Sequence, residues 1–218
     1  CVAAPRGGVA WLGAARRGGR HDPHARHCVC VAAPRGGAAG LGSGPAAGHA
    51  AQGYVVACVN YHGSSGFGYA FLDSITHRWG ELELQDVEAA TDWLLKKPWA
   101  DPKRVFASGG SYGGYMVAWM NGHVPSGRYA AYVCHAGCFD WTAMFSDDAY
   151  TWHAKELGAW YWEDPAKIQA QSPHAFAANM TTPTLVIHGA LDYRVPDGQG
   201  LAYYNTLKAR NVDARLLW

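Results

Sequence analysis

Short apolar runs alternate with amphipathic stretches along most of the chain. Tyr54 to Val59 (YVVACV) is β-branched and aromatic, and its length suits a buried strand. Residues 61–69 (YHGSSGFGY) form a Gly/Ser turn region. Leu84, Val87, Ala90, Thr91, Leu94 and Leu95 recur at helical spacing, and Pro98 closes that helix. Arg104 to Ala107 reads as a second strand, followed by a glycine cluster and a helical stretch from Tyr112 to Met120. Tyr129 to Cys134, Thr184 to His188 and Ala214 to Trp218 read as three more strands. Leu201, Tyr204 and Leu207 mark a helix between Gln199 and Arg210. Apolar strands alternating with amphipathic helices predict a mostly parallel sheet covered on both faces. In such a sheet, chemistry gathers at the carboxyl ends of the strands.

The pattern fails over residues 1–50. These hold 13 Ala, 11 Gly and 6 Arg, with no Lys, Glu, Ile, Phe, Tyr, Thr, Asn, Gln or Met, and the octapeptide CVAAPRGG occurs at 1–8 and again at 30–37. No helical or strand periodicity survives there, and alanine buries too little area to offset chain entropy. An Arg/Gly arm for nucleic acid and a flexible linker are two readings of this composition. The third, favoured by a segment built from residues with GC-rich codons, is a gene translated out of frame. On that reading residues 1–50 are not native domain sequence and are set aside, leaving 51–218 as the folded unit.

Composition narrows the function class. The 218 residues are 49% apolar and 16% charged, enough for a sizeable core and far from a disordered or collagen-like chain. A net charge of +1 gives no electrostatic case for nucleic acid. The longest apolar runs are about six residues, against the roughly 20 that span a bilayer, so no membrane partner is expected. No secretory leader is readable. The first residue is Cys1, which leads to the expectation that the chain is part of a longer one.

Gly109-Gly110-Ser111-Tyr112-Gly113 matches G-x-S-x-G between a predicted strand and a predicted helix, the context that lifts a serine clear of the backbone on a strained turn. Glycines two before and two after the serine let strand and helix pass without a Cβ clash. The helix that follows points its amino end at the serine, and the Tyr112 amide is placed to stabilise an oxyanion. Ser111 is therefore the candidate nucleophile.

A serine needs a base and the base needs an acid, in the chain order Ser, acid, His. Asp192, four residues past the strand that ends at His188, is the candidate acid. Asp197 falls where the next helix begins and reads as a first-turn charge. All 11 histidines precede Asp192. His188 and His135 both sit at strand ends and read as structural, so the base is expected beyond Trp218. Cys134, His135 and Cys138 lack zinc-site spacing, and the cysteines read as buried thiols. No metal or other cofactor is expected, and cysteine usage does not separate a cytoplasmic from a periplasmic setting.

From Gly53 to Trp218 the chain resembles the catalytic domain of the prolyl oligopeptidase family, nearest its acylaminoacyl-peptidase and dipeptidyl-peptidase members. The resemblance rests on YVVACVNYHGSSGFGYAF, WGELELQDVEAATDWL, RVFASGGSYGGYM and TPTLVIHGALDYRVPDGQGLAYYNTLK. It implies an α/β-hydrolase fold, incomplete at its C-terminal end, and serine peptidase chemistry on short peptides. Ser111 would be the nucleophile, the Tyr112 amide an oxyanion donor and Asp192 the acid. By position in the family pattern, Trp141, Phe145 and Val195 line the pocket for the residue before the cleaved bond. The aromatic stretch 139–162 would supply an apolar wall, or else pack as the core of its own excursion. The family's HGGP-like oxyanion turn and its preceding propeller domain have no counterpart here, so this chain alone is expected to be an inactive fragment. An esterase or lipase on the same fold is the alternative reading of the elbow, and a non-catalytic fragment is the other.

Overall fold

The computed structural model describes residues 11–12, 29–34, 54–98 and 100–218, the first two stretches as backbone. Seven strands form one sheet: β1 (Trp11–Leu12), β2 (Val29–Pro34), β3 (Tyr54–Asn60), β4 (Phe106–Gly110), β5 (Ala131–His135), β6 (Thr184–Ile187) and β7 (Ala214–Leu217). Their order is β1-β3-β2-β4-β5-β6-β7. β4 to β7 are parallel neighbours, with Ser108 opposite Val133 and Cys134 opposite Val186. β2 is antiparallel to β3 on one side and to β4 on the other.

Residues 29–34, set aside with the rest of 1–50, occupy a strand position inside the sheet. A gap between β3 and β4 offers hydrogen-bonding edges on both sides, and pairing context outweighs weak intrinsic propensity. The rest of 1–50, apart from 11–12, lies outside the described residues. Consequently β3, expected among parallel neighbours, pairs in antiparallel fashion on both sides among the described residues. The second strand also starts at Phe106 rather than Arg104. Asp101 caps a 3-10 turn at Pro102–Arg104 by accepting the Lys103 N–H at 2.9 Å, and this delays the extended run.

The helices are α1 (Tyr69–Asp73), α2 (Glu81–Leu95), α3 (Tyr112–His123), α4 (His153–Leu157), α5 (Pro165–Ala170) and α6 (Gly198–Ala209). α2 is amphipathic as the spacing predicts: Val87, Ala90, Thr91 and Leu94 are buried, while Leu84 and Leu95 pack against the core's rim. α3 is different, with every residue from Tyr112 to Gly122 buried. A helix apolar all round belongs between layers, and α3 lies between the sheet and the 3-10 segment Pro173–Asn179. Its one interior amide, Asn121, is satisfied on all sides. Oδ1 accepts the Thr181 and Thr182 N–H groups at 3.2 and 3.1 Å, and Nδ2 donates to the Tyr203 hydroxyl at 2.9 Å.

The segment after β5 has no long element. Short turns at Ala143–Ser146 and Tyr150–Trp152 lead into α4. Aromatic packing holds it down: Trp141 meets Trp79 at 5.1 Å and Tyr115 at 5.4 Å, and Trp152 stacks on Trp79 at 5.5 Å. The Gln199 side-chain oxygen, on α6, accepts the Phe139 and Asp140 N–H groups, both at 2.8 Å. The start of the aromatic segment is thereby tied to the helix that follows the strand β6 loop. No helix among the described residues is long and apolar enough to cross a membrane.

Candidate active site

β4 ends at Gly110 and α3 begins at Tyr112, so Ser111 has to make the whole turn alone. It does so at φ 56°, ψ −117°, a conformation that L-residues adopt at a cost of about 1–3 kcal/mol. Two backbone bonds hold it there: the Ser111 N–H donates to the His135 carbonyl of β5 at 2.9 Å, and its carbonyl accepts the Tyr115 N–H at 3.0 Å. Gly109 explains the motif's spacing. A Cβ there would sit 2.3 Å from the Gly113 carbonyl oxygen, so strand and helix pass only because that position is bare. Ser111 is half-buried, on the sheet edge where the parallel strands end.

The Tyr112 amide heads α3 at the positive end of its dipole. Its side chain turns the other way, into the core, and the phenol donates to the Glu83 carboxylate. Burial first, and then the Glu83 charge, push the Tyr112 pKa well up, so the phenol keeps its proton and stays a donor. Glu83 is wholly buried and also accepts the Gly80 N–H at 3.2 Å. This strut between α2 and the elbow went unnoticed in the sequence, although a Glu three residues past the helix start is a recognisable capping signal.

Asp192 lies in the loop between β6 and α6. Oδ1 accepts the Arg194 and Val195 N–H groups at 3.0 and 2.9 Å, an Asx turn that fixes the carboxylate on its own loop. Oδ2 accepts no hydrogen bond among the described residues, and His188 Nε2 lies 4.0 Å from it. Asp197, the competing acid, is the N-cap residue of α6 rather than part of its first turn, and its side chain makes no cap hydrogen bond. β5 alone separates β4 from β6, so with strands about 4.8 Å apart the two loops leave the sheet about 10 Å from each other. A base serving both side chains would occupy the space between these loops.

Neither nearby histidine fills it. His135 is exposed at the end of β5 and donates to neither side chain. His188 is buried, with Nε2 2.8 Å from the Val195 carbonyl. Between the two loops lie Cys134 and Cys138. Burial raises the Cys134 pKa to about 12 and lifts that of Cys138 further, helped by Cys134, Asp147 and Asp192. Thiols held protonated in this way are packing groups rather than nucleophiles. Among the described residues no group of three His, Cys, Asp or Glu side chains is arranged to hold a metal ion.

The three residues assigned to an apolar pocket are not alike. Trp141 is buried, its indole N–H donating to the Gln171 carbonyl at 2.9 Å, and Val195 is buried with its backbone engaged on both sides. Phe145 keeps open surface inside a ring of Tyr150, Trp160, Tyr161 and Trp162 at 5.3–6.1 Å. Beside it Asp147 and His153 form a buried pair at 3.1 Å, which anchors the segment from within. Asp148, one residue on, reaches the acid loop. Its N–H donates to the Tyr193 carbonyl at 3.0 Å, and its carboxylate meets Arg194 at 2.9 Å. A separate hollow of about 180 Å³ lies at the opposite end of the sheet, lined by Ala131, Thr184, Asp213 and Arg215, away from this chemistry.

Comparison with known proteins finds relatives over most of the chain. The model of the prolyl oligopeptidase family matches residues 46–218. Dipeptidyl-peptidase 5 of Porphyromonas gingivalis is 35% identical over 173 residues, which is 77% of this chain and 25% of that protein. Its namesake in Schizosaccharomyces pombe is 32% identical over 170 residues, again 77% and 25%. Among solved structures, the acylaminoacyl peptidase of Pyrococcus horikoshii superposes with a TM-score of 0.70 at 30% identity, covering 77% of this chain and 28% of its own. The chain thus spans about a quarter of the length of the curated relatives it matches.

Proposed function

The chain belongs to the prolyl oligopeptidase family, and from that premise we propose that the full-length protein is a serine peptidase cleaving short peptides through an acyl-enzyme on Ser111. The observation that carries this reading is the strained positive-φ conformation of Ser111 at a strand-to-helix turn, two strands from a carboxylate with one oxygen uncommitted. In this reaction the serine hydroxyl gives its proton to an imidazole as Oγ attacks the scissile carbonyl. The oxyanion forms against the amino end of α3, where the Tyr112 amide meets it. Asp192 Oδ2 accepts from the far side of the imidazole and stabilises the imidazolium; the leaving amine then takes the proton. Water repeats the sequence and frees the acid product.

Since neither His135 nor His188 links the two side chains, the imidazole in this proposal is supplied from elsewhere in the full-length protein. Phe145 and the aromatic segment around it, with Trp141 and Val195 behind, form the wall for an apolar side chain or proline before the scissile bond. The relatives' names point to substrates in which a dipeptide or an acylated residue is released.

The test is a panel of dipeptidyl and N-acyl-aminoacyl nitroanilides beside nitrophenyl esters, run on the full-length protein and its Ser111→Ala variant. Amide hydrolysis that disappears with Ser111→Ala is expected, a loss of about 10⁶-fold. Turnover of esters alone overturns the peptidase reading in favour of an esterase.

A further inference from the structure

We propose that His188 is a positioning residue: its imidazole locks the acid loop so that Asp192 presents Oδ2, and only Oδ2, to the catalytic base. The inference rests on the reading of Asp192 given above. His188 leaves β6 and is 2% exposed. Its Nε2 lies 2.8 Å from the Val195 carbonyl, which closes the loop across seven residues. A carbonyl only accepts, so the ring carries its proton on Nε2 and that proton is committed. The same Val195 gives its N–H to Asp192 Oδ1 at 2.9 Å. His188 therefore grips one side of a peptide unit whose neighbour grips the carboxylate.

The other face of the ring is equally constrained. Nδ1 is buried and without a hydrogen bond among the described residues, and it faces α6 at Gly200. A Cβ on Gly200 would come within 2.5 Å of Nδ1, so the helix approaches this closely only because the residue is glycine. The 4.0 Å between Nε2 and Asp192 Oδ2 is too long for a hydrogen bond, which leaves that oxygen available. His188 thus touches no reacting atom and acts through Asp192.

The test uses the full-length protein with His188→Leu, which keeps bulk and removes the donor, and His188→Gln, which restores an N–H near the Nε2 position. Active sites are titrated with a fluorophosphonate, and kcat per titrated site is read with KM on one peptide amide. We expect His188→Leu to lower kcat per site about tenfold with KM unchanged, and His188→Gln to recover to within about threefold of the parent. Parental kcat per site in His188→Leu, even with fewer sites titrating, makes the residue merely structural and overturns the proposal; so does equal impairment of both variants. If His188→Leu does not fold, Gly200→Ala presses on the same ring and carries the same expectation and the same contrary result. Titration that persists in Ser111→Ala instead refutes the reading of the site itself.

Discussion

The two loops at the sheet's carboxyl edge that carry Ser111 and Asp192 are built by unlike means. The turn at Ser111 is made by shape: one residue in a costly backbone conformation, with a bare Gly109 letting Gly113 pass at contact distance. The turn at Asp192 is made by hydrogen bonds, two from its own backbone amides and one from His188 to the loop's far end. A steric turn tolerates no added atom, whereas a hydrogen-bonded turn keeps its form when its charge is changed. In the proposed reaction the contrast matters, because there the first loop would resist relaxation of strain and the second would hold a charge in one orientation.

Three measurements sharpen that contrast. The largest effect is expected from Asp192→Asn. An amide oxygen still accepts the Arg194 and Val195 N–H groups, so the loop and the thermal midpoint should persist while kcat of the full-length protein falls about 10⁴-fold. A similar kcat would remove Asp192 from the reaction. Next, Gly109→Ala should destabilise the fold by about 1–3 kcal/mol, read by denaturant titration, because its methyl group has nowhere to go. A neutral result would mean the elbow is softer than its geometry implies.

The smallest effect concerns the ground between the loops. Cys134 and Cys138 should resist alkylation in the native protein at pH 8–9 and react on unfolding. The folded state holds the Cys134 proton more tightly than the unfolded chain does. Its contribution to stability is therefore full below pH 9.0 and is lost as pH climbs from there towards about 12. Rapid native labelling at pH 8 would show that this layer is open to water.

Much of the steric half was legible in the sequence. G-x-S-x-G between an apolar run and a buried helix encodes its own geometry, and the strands at 131–135, 184–187 and 214–217 lie where β-branched and aromatic runs predict them. The hydrogen-bonded half was less so. Asp192 was visible by its place after a strand, but His188 looked like any strand-end histidine, since its partner is a backbone carbonyl seven residues away that no side-chain pattern reports. β2 was missed for a related reason: VCVAAP sits in an alanine- and glycine-rich stretch, and its place as a strand comes from the two open edges that flank it. The burial of Trp141 could not be read either, because it depends on Trp79 and Tyr115 arriving from distant elements.

The most direct test is to treat the full-length protein with a fluorophosphonate and locate the adduct by mass spectrometry. A single adduct on Ser111, forming at least about 10³-fold more slowly in Asp192→Asn, is the expected result. An adduct on another residue, or the same rate in both proteins, would contradict the pairing of these two loops in one site.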